Sequence, residues 1–175
     1  NIGNMLFNWR MLEVTGDAKY AELVETCLYN SVLSGISLDG KRYFYTNPLR
    51  ISADLPYTLR WPKERTEYIS CFCCPPNTLR TLCQAQNYAY TLNDEGIYCN
   101  LYGANTLTIH WKDKGEIVLT QETDYPWDGN VRVRLNKLPR KAGAFSLFFR
   151  IPEWCEKATL TVNGEPVQIA AKANT

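Results

Sequence analysis

Apolar positions change their period once along the chain, and that change divides it. Met5, Leu6, Trp9, Met11 and Leu12 fall near helical spacing, and Thr15-Gly16-Asp17 then supplies a stop and a new N-cap. From Ala18 the stripe Tyr20, Leu23, Val24, Cys27 and Leu28 follows i, i+3, i+4 spacing and predicts a second helix, with Gly35 as its C′ residue. Two helices joined by so short a turn make an αα-hairpin. Residues 36–45 set two short apolar runs around Asp39-Gly40, a β-hairpin signature. Residues 46–70 hold Pro48, Pro56 and Pro62 with little periodicity, and so read as a long irregular loop, a class that often carries function. Pro75-Pro76 can open a helix, because proline is tolerated at the first helical position. Leu79, Leu82, Cys83, Ala85, Ala89 and Tyr90 give that helix an apolar face.

From Ile97 the period falls from about 3.6 to 2. Residues 107–111, 116–120, 131–135, 145–149 and 158–162 alternate, with turn residues between them, and Asn163-Gly164 after the last is a further hairpin signal. Short strands at such spacing predict an antiparallel β-sandwich. The expected boundary lies near residues 92–96, giving a helical part over 1–94 and a β part over 95–175. A helical pattern is already under way at Asn1, which is not an initiator methionine, so the expectation is a piece of something longer.

Composition narrows the function classes. The chain has 175 residues, 45% hydrophobic and 21% charged, as expected of a globular chain that builds a core. Its net charge of +1, without basic runs, argues against nucleic acid as a partner. No apolar stretch approaches the roughly 18 residues of a membrane span, and no signal segment opens the chain. Seven cysteines is an odd number, and three crowd into Cys71-Phe72-Cys73-Cys74, which makes a secreted disulfide framework a poor reading. Cys27, Cys83, Cys99 and Cys155 read as small buried hydrophobes.

The cysteine cluster precedes a predicted helix N-terminus, where unpaired N–H groups and the positive end of the helix dipole favour a thiolate. Such a cysteine suits a nucleophile or a metal ligand. A closed zinc site needs four ligands, and no second cysteine pair at zinc-binding spacing is present, so a metal site here would be incomplete. His110, the single histidine, lies in an alternating strand and reads as structural. Glu25 reads as an ordinary helix glutamate facing solvent, unless its helix packs on the hairpin bearing Tyr43 and Tyr45. Aromatic residues at 13% suit sugar stacking and core packing alike.

The run Ser70-Cys71-Phe72-Cys73-Cys74-Pro75-Pro76-Asn77, with residues 36–41 and Leu28-Tyr29-Asn30 before it, resembles the β-L-arabinofuranosidase family, glycoside hydrolase family 127, over essentially the whole chain. The resemblance implies a mixed fold, the terminal helices of an (α/α)₆ barrel followed by a β-sandwich. It implies release of L-arabinofuranose from β-linked arabino-oligosaccharides with retention. By the same resemblance Cys73 is the nucleophile and a zinc ligand, Cys74 a second zinc ligand, and Glu25 and Tyr45 sugar contacts. The remaining zinc ligands and the acid/base glutamate would lie upstream, so this piece alone would be inactive. Glu25-Thr26-Cys27 spells the family's Glu-x-Cys ligand pair but sits mid-helix in the wrong place, and is set aside. The expected partner is an oligosaccharide, with a homodimer also compatible. Reduced cysteines point to the cytoplasm, or to the periplasm if an export signal has been lost. The competing reading is a non-catalytic carbohydrate-binding or interaction module.

Overall fold

The computed structural model describes residues 1–50, 58–70 and 72–169. Cys71, and Pro56 of the irregular loop, lie outside the described residues. Helices come first and sheets after them, and the chain divides into two compact units. Residues 1–88 and the described residues from 151 onward form one, and residues 89–150 the other.

In the first unit, α1 (Ile2–Thr15) and α2 (Ala18–Cys27) form the expected hairpin. Gly16 ends α1 at φ 68° and ψ 8°, and its N–H caps Leu12 O at 2.8 Å. This left-handed turn is cheap only for glycine. Asp17 caps α2, its carboxylate accepting from the Lys19 N–H at 3.1 Å. On α1 the buried positions are Met5, Asn8, Trp9 and Leu12. On α2 the buried stripe is Ala21, Val24, Glu25 and Cys27, continued by Leu28 and Val32, while Leu23 is exposed. The helix is rotated relative to the reading from apolar residues alone, and Glu25, at 5% exposure, lies within its buried face.

After α2 the chain widens into a π-turn, Leu28–Val32, and tightens into a 3₁₀ turn, Leu33–Gly35. Gly35 therefore ends a 3₁₀ turn, not the α-helix, and it lacks the positive φ of a C′ glycine. The expected β-hairpin is reduced to single bridges, Ile36 with Tyr43 and Tyr43 with Thr66. Gly40 at φ 72° makes its turn, and the Ser37 hydroxyl and Lys41 N–H hold the Asp39 carboxyl below the usual carboxylate range. Both apolar runs are too short to sustain a ladder against a turn so rich in side-chain hydrogen bonds. α3 (Cys74–Gln84) starts at the prolines, as expected. Its apolar face is not covered, since Leu79 and Cys83 are exposed and only Thr81 is buried. The antiparallel pair β7 (Leu160–Val162) and β8 (Glu165–Val167) turns at Asn163 and Gly164, both at positive φ. That is the geometry an Asn-Gly hairpin provides.

The second unit holds six strands in two sheets. One has the order β1 (Tyr90–Leu92), β2 (Gly96–Cys99), β6 (Ser146–Phe149). The other is the antiparallel meander β3 (Asn105–Trp111), β4 (Gly115–Glu122), β5 (Arg132–Lys137). The all-antiparallel expectation fails at one pairing, because β6 runs parallel to β2. A parallel pair requires a long crossover, and the intervening meander supplies it. Ile97 of β2, Ile117 of β4 and Ala142 form a common core, flanked by Leu107, Ile109, Trp111, Phe145 and Leu147. Among the described residues no helix is long and apolar enough to cross a membrane.

Candidate active site

The two prolines after Cys74 shape the start of α3. They lack N–H groups in the turn where a helix has no internal acceptors for them, so the helix begins with fewer orphan donors than usual. Cys73 occupies the N-cap, and its carbonyl accepts from the Asn77 N–H at 3.1 Å and from Asn77 Nδ2 at 2.7 Å. The hydroxyls of Thr78 and Thr81 donate to Cys74 O and Asn77 O at 3.0 and 2.8 Å. These bonds fix the first turn, and with it the two thiols. Cys73 Sγ and Cys74 Sγ stand 3.4 Å apart, Cys73 exposed and Cys74 half-buried.

Cys74 Sγ lies 3.7 Å from the Tyr45 carbonyl oxygen, to which its S–H donates. Cys73, Cys74 and Tyr45 thereby meet in one cleft of about 480 Å³, lined also by Ser31, Val32, Gly35, Phe44 and Asn47. The Tyr45 ring is tilted against Trp61, with centroids 4.3 Å apart. Tyr45 lines the cleft and Trp61 does not, so the ring that can meet a sugar there is that of Tyr45. Glu25 does not line this cleft. It sits on the buried face of α2, whose π-turn continuation brings Ser31 and Val32 to the cleft wall.

A tetrahedral zinc with Zn–S bonds of about 2.3 Å separates two thiolates by roughly 3.8 Å. The cysteine pair at 3.4 Å fits two corners of such a site with little adjustment. No group of three or more His, Cys, Asp or Glu side chains able to hold a metal occurs among the described residues, so the pair supplies part of a donor set.

The other cysteines differ from expectation in part. Cys27 and Cys99 are buried, whereas Cys83 is exposed and Cys155 only half-buried. His110 is a strand residue on an exposed sheet face, its ring nitrogen 3.6 Å from Glu116 directly opposite. Sequence reasoning did not find Asn47 or Thr78, which also line the cleft; Asn47 lies in the aperiodic loop, and periodicity carries no signal for a polar cleft residue.

Residues 1–87 match the family described as β-L-arabinofuranosidase, GH127 catalytic domain, and residues 96–175 match its middle domain. A non-reducing end β-L-arabinofuranosidase of Bifidobacterium longum subsp. longum is 33% identical over 174 residues, which are 95% of this chain and 26% of that protein. A solved structure titled glycoside hydrolase is 90% identical, with a TM-score of 0.94 over 100% of this chain and 29% of its own. A GH127 β-L-arabinofuranosidase from Geobacillus stearothermophilus T6 is 35% identical, with a TM-score of 0.81 over 99% of this chain and 28% of its own. The chain thus spans about a quarter of the length of these relatives.

Proposed function

The chain belongs to the β-L-arabinofuranosidase family, glycoside hydrolase family 127, and from that premise we propose that it carries the nucleophile of a retaining glycosidase releasing L-arabinofuranose from β-linked arabino-oligosaccharides. The observation that carries this reading is the cysteine pair, 3.4 Å apart at the start of α3 and facing a cleft that also holds Tyr45. In this reading the helices are the last part of an (α/α)₆ barrel and the two sheets belong to a β-sandwich.

Cys73 Sγ attacks the anomeric carbon. The bond to the leaving-group oxygen breaks, and that oxygen takes a proton from a general acid. Water then attacks the same carbon, displaces the thiolate and gives up its proton to the same group acting as base, so two inversions yield net retention. A cysteine here replaces the usual carboxylate nucleophile. Cys73 and Cys74 are the residues that would hold zinc, whose contribution is to keep the coordinating thiol deprotonated. The remaining ligands and the acid/base group lie in residues of the longer protein outside this chain, so the 175 residues alone are inactive. Tyr45 contacts the sugar from the cleft wall. An oligosaccharide is the partner.

The test is Cys73→Ser in the full-length protein, assayed on a β-L-arabinofuranoside. A serine hydroxyl stays protonated and binds zinc poorly. Turnover should fall at least about a thousandfold, or roughly 4 kcal/mol at about 1.36 kcal/mol per decade. Cys74→Ser should lose metal and activity together. An electrophilic arabinofuranose analogue should label Cys73. Label on a glutamate, or a Cys73→Ser enzyme within about tenfold of wild type, under about 1.4 kcal/mol, would defeat the proposal.

A further inference from the structure

The helical run that ends at Leu33–Gly35 leaves its last carbonyls without a following turn, so each needs a donor from elsewhere. Leu33 O accepts from the Ile36 N–H and Gly35 O from the Phe44 N–H, both at 3.1 Å. Ser34 O is taken by a side chain distant in sequence. Arg65 donates to it from Nε at 2.9 Å and from Nη2 at 2.6 Å. The same guanidinium lies over the Phe44 ring, 4.6 Å from its centroid. Next to it, Thr66 exchanges both backbone hydrogen bonds with Tyr43, at 3.0 and 2.9 Å. On the far side of Tyr45, Asn47 Nδ2 donates to the Ser34 hydroxyl at 2.9 Å.

Apart from the Leu33–Ile36 bond, these contacts bear on the short segment that presents Tyr45. Arg65 grips Ser34 on one side and Phe44 on the other, and Tyr45 is the next residue, its carbonyl over Cys74 and its ring against Trp61. Arg65 itself does not line the cleft. The geometry points to Arg65 as a positioning residue, which sets the reach of Tyr45 toward a sugar bound beside Cys73. A guanidinium is required for this, because it alone combines a two-pronged donor with a flat cationic face. A lysine keeps the charge and loses both. The inference rests on reading this cleft as the sugar site.

Two measurements on the full-length protein keep the inference separate from that reading. Hydrogen exchange needs neither substrate nor turnover: in Arg65→Lys the amides of residues 43–45 should exchange at least about fivefold faster, with those of α1 unchanged. Steady-state kinetics then tests the route. Arg65→Lys should raise KM about tenfold with kcat within about threefold of wild type, since uniform sugar binding is what Tyr45 supplies. In a Tyr45→Ala background the same change should add less than about twofold, because two residues acting through one contact are not additive. A residue that merely stabilises the unit would give additive effects. Should Arg65→Lys fail to fold, Arg65→Gln, which keeps one N–H donor group but loses both the two-pronged donor and the cationic face, enters the same cycle with the same expectations. Unchanged exchange at 43–45, an unchanged KM, or additive KM effects overturns the assignment. Full activity of Cys73→Ser overturns the underlying reading instead, and is recognised independently of the exchange result.

Discussion

Cysteine shows how differently one residue type can be used within a single chain. Cys73 and Cys74 stand together at a helix start, Cys73 exposed and Cys74 against the Tyr45 carbonyl, while Cys99 is buried at the end of β2 at 1% exposure. Burial pushes the Cys99 thiol up to about 12, from an ordinary value of 9.0, because the thiolate cannot be solvated there. The folded state therefore keeps this proton at a pH where the unfolded chain releases it. Stability is indifferent to the group below about pH 9 and declines as pH rises from 9 toward 12. Denaturant titrations between pH 8 and pH 10.5 should show a downward slope that is shallower in Cys99→Ala than in the parent sequence, and equal slopes would contradict the account. The catalytic-looking pair was legible because Cys-Cys-Pro-Pro-Asn fixes chemistry and helix start in adjacent letters. The burial of Glu25 was not, since the apolar residues of α2 alone place the buried face elsewhere.

Period carries the elements further than it carries their edges. All three helices and the strands β3 to β7 were legible from spacing, and the caps Gly16 and Asp17 lie where turn chemistry puts them. The π-turn at Leu28–Val32 has no comparable signature, because one inserted residue leaves the apolar pattern locally intact. The parallel pairing of β2 with β6 was equally silent, since alternation reports a strand's faces and not its neighbour's direction. One glycine does record that pairing. A Cβ on Gly96 would lie 2.1 Å from Ser146 O and 2.8 Å from Ser146 C, both backbone atoms of the partner strand. Neither can yield without opening the register that sets Ile97 against Leu147 and stacks Tyr98 on Phe148 at 4.2 Å. Gly96→Ala should therefore cost at least about 2 kcal/mol, at the upper side of overpacking penalties. Chemical denaturation would read it, and a loss below about 0.5 kcal/mol, the scale of an ordinary surface change, would show that the strands can part without penalty.

At the scale of the whole molecule, the helical unit is amphipathic on more faces than it buries. Phe7 is 61% exposed, Val14 82%, Phe72 87% and Leu79 47%, although the periodicity of α3 placed Leu79 on an inward face. An apolar helix face gains nothing from folding unless something covers it, at roughly 25 cal/mol per Å² removed from water. The relatives supply a length of chain this one does not, since it spans 26–29% of theirs. Large apolar side chains left open in this way favour self-association. The 175-residue polypeptide expressed by itself should accordingly sediment as concentration-dependent oligomers, and Phe7→Lys with Leu79→Lys should shift the distribution toward monomer. In the full-length protein the same two substitutions should lower the unfolding midpoint instead, because there they would place charges against covering helices. A monodisperse, cooperatively unfolding monomer of the 175 residues would show that the exposed face is tolerated, and the barrel assignment would lose its energetic support.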